Sequence, residues 1–233
     1  WLKKTQINHH MLKCGIHNPL NINYSNKLLL SGNKPSQLHN NCAGKHLGML
    51  SACLMNNMTL SNYVDLNHPH QIRIRKILEF FTHSKIYNKQ KGVDGCSAPQ
   101  YAFPLKNLSV AMVNLIKQTE TKKNYSKEVK LLLNSIKKHP RLIGSKTKYD
   151  SQLMEATKGQ MFAKGGAEGI LLFAHKQKKV GGVIKIKDGN ERAIPSVANV
   201  IFKKLNILNK NELQNLSNWT KQKIFNHAKK NIG

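Results

Sequence analysis

The chain predicts an α/β protein, helices packed on an antiparallel sheet, and three observations carry that expectation. Apolar residues recur at helical spacing over much of residues 46–138, short apolar runs follow Gly159, and another helical stripe follows Pro195. With 233 residues the chain is long enough for a sizeable core, and it reads as a single domain over 1–233.

Taken in order, residues 2–12 read as a helix closed by Gly15, with Lys13 in the last turn. Residues 16–39 are turn-rich, with Pro19, Gly32 and Pro35. From His46 to Met58 the set Leu47, Leu50, Cys53 and Leu54 predicts a helix; if it starts near Cys42, then Cys42 and Lys45 share a face. Residues 70–81, after Pro69, place Ile74, Ile77, Leu78 and Phe81 on one side. Helices over 105–118 and 126–138 follow, the latter with Ser126 as N-cap and Val129, Leu132, Leu133 and Ile136 as its stripe. Gln160–Ala163, Ile170–His175 and Gly181–Ile186 read as antiparallel strands. Pro195 suits a first helical turn, and Ala198, Ile201, Phe202 and Leu205 form the buried face that follows. The tail from 209 is polar, with Trp219 as its anchor.

The formal charge is +27, which raises the question of nucleic acid. Only Arg73, Arg75, Arg141 and Arg192 are arginine, however, and the lysines spread evenly without interleaved aromatics. Abundant Lys, Asn and Ile are what AT-rich coding produces, so nucleic acid is not expected as the principal partner. No apolar run is long enough for a bilayer span and no secretory leader is visible, so a cytoplasmic protein without membrane contact is expected. The 4 cysteines, Cys14, Cys42, Cys53 and Cys96, are too few and irregular for a disulfide scaffold. Cys53, inside an apolar run, reads as a small buried hydrophobe, and Cys14 as structural.

Three blocks carry candidate chemistry. Asn40-Asn41-Cys42-Ala43-Gly44-Lys45-His46 and Asp94-Gly95-Cys96-Ser97-Ala98-Pro99 each set a thiol beside glycine. Two such sulfurs with a third donor, Lys45 or His46, can hold zinc and leave one position open; lysine would ligate only as the neutral amine. Two unrelated structural thiols fit the spacing as well. The third block, Ala163-Lys164-Gly165-Gly166-Ala167-Glu168-Gly169, offers Lys164, a general base if desolvated and a surface lysine otherwise. Ser-x-x-Lys occurs at Ser31/Lys34, Ser135/Lys138 and Ser145/Lys148. About two such hits arise by chance, so they carry little information.

These blocks, together with Leu12-Lys13-Cys14-Gly15-Ile16-His17, His68-Pro69, Pro104-Leu105, His139-Pro140 and Lys187-Asp188-Gly189-Asn190-Glu191-Arg192-Ala193, follow the order and spacing of the zinc-binding, serine-lysine L-asparaginases, the asparaginase II family. The chain resembles that family over about residues 1–207 and more loosely in the tail. The resemblance implies a homodimeric hydrolase of L-asparagine on a fold similar to the serine β-lactamases, penicillin-binding proteins and glutaminases. It implies Cys42, Lys45 and Cys96 as zinc ligands, His46 and Asp94 as residues lining the same site, and Lys164 as the lysine of one serine-lysine pair. Ala43 stands where the family often has serine. Trp1 corresponds to a point just after the family's second catalytic serine, so the resemblance implies a fragment that lacks the fold's N-terminal part, with the metal half of the site and without the nucleophile. Hydrolysis of glutamine or another small amide, and a non-catalytic polyanion-binding role, are the alternative readings.

Overall fold

The computed structural model describes residues 5, 7–16, 22–220 and 225–232, with the backbone alone for 22–25. They form two units, Trp1–Phe80 with Ser84–Phe103, and Phe81–His83 with Pro104–Gly233. Helices and small antiparallel sheets make up both, an α/β composition as the sequence predicts. Among the described residues no helix is long and apolar enough to cross a membrane.

The first unit begins differently from its sequence reading. In place of a helix over 2–12, of which the structure describes Thr5 and 7–12, there is one 3-10 turn, His9–Met11, started by Asn8 whose side chain accepts from the His10 N–H at 2.8 Å. Ile7 and Leu12 are both buried, and five positions apart they would point to different sides of an α-helix; a bent chain buries both. The turn-rich reading of 16–39 also needs correction, because α1 spans Ile22–Leu30. Gly32 at φ +72° ends it, and Asn33 N–H returns to Leu28 O at 3.2 Å. Leu29 and Leu30 are exposed, so no buried stripe marked the helix.

α2 (Ala43–Met55) buries His46, Met49, Leu50 and Cys53, the i, i+3, i+4, i+7 set of one helix face. Met49, Leu50 and Cys53 join Ile7, Leu12, Cys14, Tyr63, Cys96 and Ala98 in the apolar core of this unit. Asn57 takes the left-handed conformation and Met58 N–H bonds Cys53 O at 2.9 Å, which closes the helix. α3 (Pro69–Thr82) follows, and then the hairpin of β1 (Lys91–Val93) and β2 (Pro99–Tyr101), in which Val93 pairs with Pro99.

The second unit centres on an antiparallel sheet, β3 (Met161–Gly166), β4 (Ile170–His175) and β5 (Val180–Lys185), with β4 in the middle. Met161, Ala163, Leu171 and Phe173 face one core by strand alternation, together with α7 (Tyr149–Ala156) and α8 (Ile194–Lys204). Ala174 and the half-buried Phe162 and Leu172 pack instead with Met112 and Ile116 of α4 (Leu105–Gln118). A Cβ on Gly181 would lie 2.6 Å from Val113 N, and one on Gly182 would lie 2.4 Å from the Phe173 ring, so β5 needs glycine at both places.

α5 (Ser126–Lys138) and the short α6 (Arg141–Gly144) lie between α4 and α7 in the chain. Ser126 is the first residue of α5 and Tyr125 its N-cap; the Ser126 hydroxyl donates to Thr121 O at 2.6 Å instead of capping. Leu132 and Leu205, expected in buried stripes, are exposed, because the helix faces toward Val129 and Phe202 supply the burial. In the tail, Asn209 and Glu212 form a capping box for α9 (Lys210–Asn215), a helix the polar composition concealed. Trp219 packs edge-on against Tyr149 at 5.6 Å and donates Nε1–H to Gln152 Oε1 at 2.7 Å.

Phe202 is fully buried and meets the Phe173 ring edge-to-face at 4.9 Å. Phe202→Ala is expected to cost about 3–5 kcal/mol, read as a lower urea midpoint at unchanged slope.

Candidate metal centre

Cys42 is the N-cap of α2 and makes no side-chain capping bond, which leaves its sulfur available. The local tie comes from Asn40. Its Oδ1 accepts the Cys42 N–H at 2.8 Å while its Nδ2 donates to Cys14 O at 2.7 Å, fixing the start of α2 on the segment before α1. One turn on, α2 presents Lys45, and beside it the wholly buried His46.

The other half of the site is the loop of the β1–β2 hairpin. Asp94 N–H bonds Ala98 O and Ser97 N–H bonds Asp94 O, both at 2.8 Å, with Ser97 at φ +69°. This is a three-residue hairpin loop, Gly95-Cys96-Ser97, with its last residue left-handed. The tight loop turns Cys96 inward, where it is buried, and places Asp94 against α2.

The Sγ atoms of Cys42 and Cys96 and a carboxylate oxygen of Asp94 all lie within 4.8 Å of one another. Asp94 Oδ2 accepts from Lys45 Nζ and from Cys96 Sγ, each at 3.2 Å, and Oδ1 accepts the Gly95 N–H at 2.8 Å. Partial burial raises the Asp94 carboxyl pKa, but the hydrogen bonds from Cys96 and Lys45 outweigh it and hold the group below its ordinary value. Burial pushes the Cys42 thiol up, more than the Lys45 charge lowers it. For Lys45, desolvation works against the ammonium, yet its bonds to Cys96 and Asp94 win and its pKa is raised. Without a cation the Cys42 thiol keeps its proton, and the Lys45 ammonium and the Cys96 sulfur both donate to the Asp94 carboxylate. Two sulfurs within this distance of each other and of an oxygen donor can hold a divalent ion, and Lys45 becomes a donor once its proton leaves.

Behind the cluster, His46 Nδ1 is 2.6 Å from the Tyr63 hydroxyl, whose oxygen accepts the Lys13 N–H at 2.9 Å. With Tyr63 donating to Nδ1, the neutral imidazole carries its hydrogen on Nε2, a buried atom near the Cys96 backbone. Burial lowers the imidazole pKa, and the Lys45 charge adds to the effect.

Of the residues singled out in the sequence, Cys42, Lys45, His46, Asp94 and Cys96 come together in the first unit. Cys53 is fully buried in apolar surroundings, and the Cys14 sulfur is held near Gly15 O and Gln37 O. Lys164 belongs to β3 of the second unit; its side chain is exposed and its Nζ donates to Gly165 O. None of the Ser-x-x-Lys hydroxyls engages its lysine. Ser31 donates to Leu28 O, Ser135 to Leu131 O, and Ser145 pairs with Thr147. Sequence reasoning missed Tyr63, for which no local signal exists, and the tie made by Asn40, which was visible only as an Asx residue two before the helix start.

Two measurements check this geometry. Tyr63→Phe leaves the Lys13 N–H and His46 Nδ1 without their partner and is expected to cost about 1–3 kcal/mol in chemical denaturation. Because Asp94 titrates lower when folded, its contribution is present above the ordinary carboxyl value of about 4 and is lost as pH falls through the lowered one. In metal-free protein, Asp94→Asn should therefore lower Tm near neutral pH, with the difference from wild type shrinking in acid.

No curated protein matches the chain. The family model described as L-asparaginase II matches residues 1–233. That match spans both units and takes in the Cys42 and Cys96 segments as well as Lys164, so the chain belongs to the L-asparaginase II family.

Proposed function

We propose that this chain carries the zinc site of an L-asparagine amidohydrolase, with Cys42, Lys45 and Cys96 as the ligands. Family membership supports asparaginase-type amide hydrolysis of a small-molecule substrate. The observation that carries the finer reading is the convergence of the Cys42 and Cys96 sulfurs within 4.8 Å, from opposite sides of a helix–hairpin junction.

Two thiolates suit zinc above the harder divalent ions. When bound, zinc would supply a Lewis-acidic position at which the substrate is oriented. Lys45 and Asp94 decide the third donor between them. Asp94 accepts the Lys45 and Cys96 protons' hydrogen bonds in the metal-free arrangement, and once those protons leave it is free to bond the ligating amine or a substrate ammonium group. His46, neutral and anchored by Tyr63, stands wholly buried beside Lys45.

Amide hydrolysis also needs a nucleophile that attacks the side-chain carbon, expels ammonia and yields to water. In the family-based reading a serine supplies the hydroxyl, Lys164 takes its proton, and the active assembly is a homodimer on a β-lactamase-like fold. Ser31, Ser135 and Ser145 do not pair with the lysines of their Ser-x-x-Lys motifs, and ammonia release from L-asparagine by this polypeptide is expected to stay at background.

Zinc content after dialysis tests the reading. Wild type should retain stoichiometric zinc, and Cys42→Ser or Cys96→Ser should lose it by more than about tenfold in affinity. Affinity should rise steeply with pH, one proton leaving each of Cys42, Cys96 and Lys45; Lys45→Gln removes one of these and makes the dependence shallower. Zinc-free wild type together with salt-sensitive binding of duplex DNA would favour the polyanion-binding alternative.

A further inference from the structure

A cavity of about 250 Å³ opens in the second unit, lined from α4, α5, α7 and the start of β3. None of the residues assigned above to metal binding or catalysis lines it. Its floor is apolar: Ile116, Met154 and Met161 are each almost wholly buried, and Leu133, Ile136 and Phe162 complete the wall.

The rim has one sign of charge. Lys130, Lys137 and Lys176 line the cavity, and no carboxylate does. Among the described residues, Lys130 Nζ donates to a carbonyl, Thr121 O at 3.2 Å, and to no carboxylate. The Lys137 stem lies against Gly159, where an added Cβ would meet its Cγ at 2.3 Å, so its methylenes form part of the wall. Lys176, just after β4, has its backbone held by an N–H bond to Gln160 O at 2.8 Å. Glu120, next in sequence to the lining residue Thr119, is already paired with Lys179 at 3.1 Å.

We propose that this cavity is a binding site for a small amphiphilic anion, an aliphatic carboxylate whose chain fills the apolar floor and whose head meets the Lys130, Lys137 and Lys176 ammonium groups. A neutral apolar ligand would leave that rim unanswered, and a bare anion would leave the floor empty; pockets with an apolar body and few convergent polar groups take ligands that match both. The site requires no step of amide hydrolysis and stands apart from the metal reading.

Calorimetric titration with octanoate, octanol and inorganic phosphate tests it. Octanoate should bind wild type at least about tenfold more tightly than either comparison compound. The double variant Lys130→Glu with Lys137→Glu, which reverses two of the three rim charges, should weaken octanoate by at least about tenfold. Leu133→Trp, which fills the floor without touching the charges, should do the same. Lys203→Glu with Lys204→Glu, which lowers net charge equally away from the lining, should leave binding unchanged. Absence of octanoate binding to wild type, equal binding of octanol, or equal weakening by both double variants would overturn the proposal.

Discussion

Everything at the candidate centre depends on the burial of one face of α2. His46, Met49, Leu50 and Cys53 occupy the core of the first unit with Tyr63, Cys96 and Ala98. Packing that stripe fixes the rotation of the helix about its axis. The rotation in turn puts Cys42 and Lys45, at the helix start, beside the hairpin loop, with Cys42 half-buried and Lys45 still reached by water. The apolar core is thus the positioning device for a polar cluster, and the chemistry follows from it.

The cluster itself is balanced between two uses of the same atoms. As protonated groups, the Cys96 thiol and the Lys45 ammonium satisfy one oxygen of Asp94. As ligands they must give up those protons, and the carboxylate then loses the donors that hold its pKa down. A cation at this site therefore competes with protons for every donor, and the neighbouring imidazole is kept neutral by burial and the adjacent lysine charge.

Much of the framework was legible because periodicity reports burial directly. The 105–118 helix and the Ile170–His175 strand coincide with the observed elements, since their apolar residues meet a core at regular spacing. The failures have the same root. α1 presents exposed Leu29 and Leu30, and the 2–12 pattern mixed Ile7 and Leu12, which a helix would not bury together. The β1–β2 hairpin escaped notice because its strands have only three residues each and are partly or fully exposed, while its loop was read for Cys96 and not for turn geometry. At the centre, Cys42, Lys45 and Cys96 were visible as residue types beside glycine. Their convergence was not, because a separation of 49 residues between Lys45 and Asp94 is bridged by tertiary packing that no local pattern encodes.

The central claim is that the Cys42 and Cys96 sulfurs act together on one metal ion. Titration of metal-free protein with cobalt(II) reads this directly through its absorption spectrum. Intense visible d–d bands of a four-coordinate ion, with a near-ultraviolet thiolate-to-cobalt transition halved or lost on removing either cysteine, are the result expected. The faint bands of hexa-aqua cobalt throughout the titration would contradict it.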